Sequence, residues 1–130
     1  MFWKNKKDLK VGEIGEKEAA KFLKKKGYKI IEFNYQNNKG RRLGEIDIIA
    51  KKDKEIVFVE VKSRKTDNLD VLPEENIDKR KLYKLQKIAQ SYLKEKDLVQ
   101  KPYHFDAVSV LLSSEDNKVI EIRHLENIFI

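Results

Sequence analysis

The chain has 130 residues, 40% of them hydrophobic, which suits one domain with its own core and excludes a disordered polymer. There is no cysteine, so disulfides and thiolate metal sites are excluded, and no apolar run nears the roughly 20 residues that span a bilayer. Net charge is +7, from 29 Lys and Arg against 22 Asp and Glu; that sign favours a polyanionic partner, although a lysine-rich solvated surface gives the same balance.

The N-terminal MFWKNKKDLK is basic with no apolar stretch behind it, so it is not a secretory signal, and a cytoplasmic location is expected. Residues 1–10 read as a flexible basic segment and 11–130 as the folded domain. Val11, Ile14, Ala19, Phe22 and Leu23 recur at helical spacing, which predicts a helix over 11–26 closed by Gly27. YKIIEFNY (28–35) reads as a strand and QNNKGRRLG (36–44) as a polar loop. GEIDIIA (44–50) and EIVFVEVKS (55–63) read as two strands joined by the tight, charged KKDKE. Residues 64–76 carry Pro73 and no periodicity, so a loop is expected. A second helix follows over 77–96, with Leu82, Leu85, Ile88, Tyr92 and Leu93 on its apolar side. HFDAVSVLL (104–112) and KVIEIRHL (118–125) are two further strands around the turn SSEDN.

The chemistry concentrates in the hairpin. With Asp53-Lys54 as a two-residue turn, Lys52 pairs with Glu55, and Asp47 falls opposite Glu60. Opposed residues share a face with Cβ atoms roughly 5 Å apart. Lys62, two positions on, joins them, while Ile46, Ile48, Val59 and Val61 point the other way. Opposed carboxylates repel unless a divalent cation lies between them, and Mg²⁺ accepts one or two carboxylates beside water or phosphate oxygens. The backbone carbonyl of Val61 is placed to add a ligand, and a nearby ammonium can orient or deprotonate water. A solvated salt-bridge ladder is the competing explanation. Against it, IVFVEV is apolar apart from Glu60, as in a strand covered on both faces. Glu16 and Lys81 also sit at the edges of the two helices' apolar stripes.

GEIDIIA, a short turn and VFVEVKSR resemble the PD-(D/E)xK nuclease superfamily. More closely, the chain resembles the YraN-like family of small bacterial proteins, related in fold to archaeal Holliday junction resolvases. GEIGEKEAAKFLKKKGYKIIEFNY, KRKLYKLQKIAQSYL and HFDAVSV extend the similarity over nearly the whole chain. The resemblance implies an α/β, restriction-endonuclease-like fold in which a mixed central sheet is flanked by two helices. It implies Asp47 and Glu60 as metal-binding acids, Lys62 as catalytic lysine, Glu16 as the helix-borne glutamate and Mg²⁺ or Mn²⁺ as cofactor. It also makes Lys81 a phosphate contact or a support residue, and Asp106 a structural residue. Ile46 stands where the superfamily label has proline.

Lys39, Arg41 and Arg42 in the glycine-bearing loop, with Arg64 and Lys65 after the triplet, are candidates to hold a DNA backbone. No sequence-reading motif is present, so recognition of branched or otherwise structured DNA is expected. His104 and His124 lack metal-ligand spacing and read as surface or strand-end residues. The apolar ENIFI end can cover a sheet edge or pair with a second chain, and resolvase-like relatives imply a homodimer. The leading expectation is a metal-dependent DNA endonuclease. The alternative is a catalytically weak nucleic-acid-binding module of the same fold, and a third reading is a metal-free scaffold for an acidic protein.

Overall fold

A strand whose side chains are apolar on both faces has to be covered on both, and IVFVEV dictates the layering accordingly. The computed structural model describes residues 6–37, 40–66 and 78–128. Helix α1 (Lys6–Lys25) is followed by strands β1 (Lys29–Gln36), β2 (Glu45–Lys52) and β3 (Glu55–Lys65); helix α2 (Lys79–Glu95) and strands β4 (Tyr103–Leu112) and β5 (Val119–Leu125) complete the chain. The sheet runs β1-β2-β3-β4-β5 and is antiparallel except for the parallel β3–β4 pair. Parallel neighbours need a crossover, which α2 supplies.

Val57, Val59 and Val61 pack with Ala19, Ala20 and Leu23 of α1, whereas Ile56 and Phe58 pack with Leu85, Ile88 and Tyr92 of α2. The period of two in β3 thus sends alternate residues to helices on opposite faces. Among the described residues this is a single α/β domain with a mixed five-stranded sheet and two helices, consistent with the restriction-endonuclease-like fold. No helix among the described residues is long and apolar enough to cross a membrane.

Element ends follow capping chemistry. Gly27 (φ 92°) closes α1: its N–H reaches the Lys24 carbonyl at 3.0 Å and that of Tyr28 reaches Leu23 at 3.0 Å. The helix begins at Lys6 rather than at residue 11, so part of the segment 1–10 is helical; residues 1–5, with Trp3, lie outside the described residues. Helix α2 starts at Lys79 rather than 77, because Asp78 is its N-cap and accepts from the Lys81 N–H at 2.8 Å. β3 extends to Lys65, into the segment expected as loop; Pro73 and Lys39 lie outside the described residues.

The hairpin has the expected register. Lys52 pairs with Glu55, Ala50 with Val57 and Ile48 with Val59, around a turn in which Asp53 is left-handed (φ 56°). One expectation fails. Ile46 does not share the side of Ile48 and Val59 but packs with Tyr35 and Phe58 in the α2-side cluster. Asn34, left-handed at φ 52°, breaks the pleat of β1, and its neighbour Tyr35 pairs with Ile46.

Helix α1 approaches β3 so closely that a Cβ on Gly15 would lie 1.8 Å from Ser63 Oγ and 2.6 Å from Ser63 Cβ. In an open helix Gly→Ala stabilises by about 1 kcal/mol. Here overpacking, at about 1–3 kcal/mol, outweighs that gain. Urea unfolding of Gly15→Ala should show a net loss of stability, and adding Ser63→Gly should recover part of it. A more stable Gly15→Ala would contradict the close approach.

Candidate active site

Beyond the Ile48–Val59 pair, the β2–β3 ladder stops. The Val61 N–H, which would otherwise bond across to β2 main chain, donates to Oδ2 of Asp47 at 2.8 Å. The side chain of Asp47 therefore fills the fork where the two strands part. There its carboxyl group hydrogen-bonds to that of Glu60. Glu60 lies on the α2 side by alternation from Phe58 and is 5% exposed.

A buried carboxyl group in contact with a half-buried one favours a shared proton. Burial, then the hydrogen bond to Glu60 and its negative charge, push Asp47 up to about 9, although the Val61 N–H works the other way. Oε2 of Glu60 has no aligned hydrogen-bond donor, even though Lys81 Nζ approaches it to 3.0 Å as an ion pair. A buried carboxylate oxygen without a directed donor, beside a protonated partner, is the chemistry that a hard divalent cation satisfies. Asp47 and Glu60 thus fit such an ion.

The lysines divide. Burial and then the adjacent Lys81 ammonium lower the pKa of Lys62. Burial also opposes charge on Lys81, but its hydrogen bond to Lys62 and the Glu60 carboxylate outweigh that and raise its pKa. Lys81 stands in the first turn of α2, set by the Asp78 cap.

Glu16 comes from the other side, on the turn of α1 that Gly15 brings against the sheet. Burial, with the charges of Glu45 and Glu60, raises its pKa against a hydrogen bond from Asn34. The Asn34 amide, oriented to satisfy both neighbours, reaches Glu16 Oε1 at 3.3 Å and Glu45 Oε1 at 3.2 Å. Glu16, Asp47 and Glu60 do not gather ligand atoms within 4.8 Å of one another. Among the described residues, the group of three that does is Asp106, His124 and Glu126. Asn34 and Glu45 were not singled out from the sequence; an Asn interrupting an apolar strand was the available signal.

Arg41, Arg42 and Arg64 are exposed. Arg41 lines a cavity of about 700 Å³ together with Lys87, Gln90 and Lys94 of α2. A second, of about 340 Å³, adjoins it through Leu43 and is lined by Arg80, Lys81 and Lys84. Helix α2, of whose cations sequence reading singled out Lys81 alone, contributes more cations to this groove than the described part of the loop does.

The histidines stand at strand ends, as expected, but turn inward rather than to the surface. His104 Nε2 is 3.2 Å and His124 Nε2 2.8 Å from the fully buried Asp106, and the His124 side chain is only 3% exposed. They lie on neighbouring strands, so their convergence arises from β4–β5 pairing and not from spacing along the chain.

The model of the uncharacterised protein family UPF0102 matches residues 15–110. The chain belongs to the UPF0102 family. A UPF0102 protein of Caldanaerobacter subterraneus subsp. tengcongensis is 43% identical over 119 residues, covering 92% of this chain and 93% of the relative. Another, from Syntrophomonas wolfei, is 43% identical over 119 residues (92% and 96%), and one from Clostridium acetobutylicum is 40% identical over 120 residues (92% and 93%). The YraN-like resemblance and UPF0102 membership are the same assignment. These UPF0102 names carry no activity, so function has to be argued from the site.

The shared proton makes a signed prediction for the metal-free UPF0102 chain. A folded-state pKa raised from 3.8 to about 9 means that the native state holds a proton the unfolded state has lost. Stability should therefore fall as pH rises through that window, by at most ~1.4 kcal/mol per unit for one proton. Chemical denaturation of Asp47→Asn across the same window should show a flatter profile. An unchanged slope would remove the shared proton from the account.

Proposed function

We propose that this protein is a divalent-metal-dependent endonuclease that hydrolyses phosphodiester bonds in structured or branched DNA in the cytoplasm. The observation that carries the reading is the carboxyl pair Asp47–Glu60 with an undirected Glu60 oxygen, flanked by two lysines of opposite pKa shift. Asp47 and Glu60, with the Val61 carbonyl and Glu16 nearby, would hold Mg²⁺ or Mn²⁺. When bound, that ion supplies Lewis acidity and an acidified water.

The remaining work falls to the chain. Lys62, held toward its neutral form, accepts a proton from the attacking water. Lys81, which stays charged, leaves Glu60 for the scissile phosphate. Arg41, Arg80, Lys84, Lys87 and Lys94 along the α2 groove carry the flanking backbone, with Arg42, Arg64 and Lys39 as further contacts. Such contacts fix position and read no sequence, which suits recognition of DNA shape. A homodimer would present two such sites to a branched substrate.

One observation favours the second reading, a binding module with little catalysis: the Lys81 ammonium, 3.0 Å from Glu60, already balances its charge without a metal. Cleavage of nicked, flapped and four-way DNA with Mg²⁺ or Mn²⁺ separates the two. The nuclease reading predicts that Asp47→Asn and Glu60→Gln abolish cutting while leaving binding nearly intact, and that Lys62→Met slows it by ~10²–10⁴-fold. Binding without cleavage of any substrate, at any metal concentration, would leave the module. Under both readings, Lys87→Gln and Lys94→Gln should each lower the salt slope of DNA binding by about 1; unchanged slopes would move the DNA off this groove.

A further inference from the structure

The other face of the sheet carries a cluster that the nuclease reading does not use. In the parallel register Asp106 pairs with Val59 and Ala107 with Glu60, so Asp106 lies on the α1 side, away from the Glu60 carboxylate. Its carboxylate, 0% exposed, accepts from the Asn127 N–H (2.8 Å), from Tyr28 OH (3.1 Å), and from His124 Nε2 (2.8 Å). His104 Nε2 lies 3.2 Å from its other oxygen and turns Nδ1 to Glu55 at 3.2 Å. On β5 and its extension, His124 and Glu126 fall two residues apart and thus on one side, and continuation of the Ala107–Leu125 pairing sets Glu126 opposite Asp106. The Tyr28 hydroxyl touches Asp106 and, at 3.3 Å, Glu126 Oε1.

We propose that Asp106, His124 and Glu126 form a second metal site, for a transition-metal dication of the Zn²⁺ class. One ligand atom from each lies within 4.8 Å of the others. Bonds of about 2.0–2.2 Å to a common ion put ligand atoms no more than roughly 4.4 Å apart, so small side-chain movements suffice. The donor set is one imidazole nitrogen and two carboxylate oxygens. An imidazole suits Zn²⁺, Co²⁺ or Ni²⁺, whereas Mg²⁺ prefers oxygen alone. The inner wall is built, with Asp106 and His124 almost wholly buried, while the Glu126 side chain is 61% exposed and leaves an entry path.

A second observation points to a cation here. The Lys26 ammonium stands against two of the three ligands, 2.7 Å from His124 Nδ1 and 3.8 Å from Glu126 Oε2. The chain supplies its own positive charge at this spot. Because Lys26 donates to Nδ1, the proton of neutral His124 sits on Nε2 and is donated to Asp106. A dication held by His124 Nε2 beside Asp106 would move that proton to Nδ1, where it faces the Lys26 ammonium, so the ion competes with Lys26. It would then staple the end of β5 to its neighbour β4. This proposal stands independently of nuclease activity.

Metal-free protein is titrated with Co²⁺, followed by its visible absorption, and with Zn²⁺ by calorimetry and thermal unfolding. Wild type should bind one equivalent at this site and unfold at higher temperature with Zn²⁺. Glu126→Gln, an exposed change that leaves the fold in place, and His124→Gln should each weaken this binding by at least about tenfold. Lys26→Met should tighten it, a response that a purely structural polar network does not produce. Asp47→Asn with Glu60→Gln should leave it unchanged. No saturable binding by wild type, equal binding by Glu126→Gln and His124→Gln, or loss only in the Asp47 and Glu60 double variant would overturn the proposal.

Discussion

The structure turns on two carboxyl groups that meet at a fork. β2 and β3 run as a regular hairpin from the Asp53 turn to Ile48–Val59 and then part, and Asp47 and Glu60 come into contact in the opening. Like charges opposed across strands are destabilising, and a buried acid needs a partner. Without metal, a proton held by Asp47 and the ammonium of Lys81 serve that purpose. Under the proposed function both give way to a divalent ion, which would separate this contact from an ordinary structural ion pair.

The packing keeps the contact in place. β3 is covered by α1 on one face and α2 on the other, so Glu60 cannot turn away into water. Gly15 lets α1 press onto Ser63 and carries Glu16 toward the fork, while the Asp78 cap sets the first turn of α2 with Lys81. Each helix therefore delivers one charged residue to the same end of the sheet. On the α1 face, Asp106 is enclosed instead by donors, and hydrogen bonds from His124 and Asn127 with the nearby histidines hold its pKa low in spite of burial. Two acids of one sheet are thus pushed in opposite directions: Asp47 toward its protonated form by a like neighbour, Asp106 toward its ionised form by surrounding donors.

Local chemistry made much of this legible in the chain. KKDKE with Asp53 at a left-handed position defines a two-residue turn, and that alone sets the register as far as Ile48–Val59, one residue short of Asp47 and Glu60. The apolar run around Glu60 announced a strand covered twice. What escaped depended on residues distant in sequence or on conformations that pattern does not encode. Asn34 is left-handed in β1, and across from it Ile46 and Ile48 fall in different clusters, which strict alternation does not foresee. His124 meets Asp106 only through β4–β5 pairing, and the basic groove needs the exposed face of α2 laid beside the loop at residue 41. The opposing shifts of Lys62 and Lys81 arise from contact between β3 and α2.

The most direct test of the central claim is the anomalous difference map of crystals soaked in Mn²⁺. The account predicts a peak bridging Asp47 and Glu60, with their mutual hydrogen bond lost and Lys81 withdrawn from Glu60. Crystals saturated with Mn²⁺ that show no peak there, and in which the two carboxyl groups still share their hydrogen bond, would contradict it.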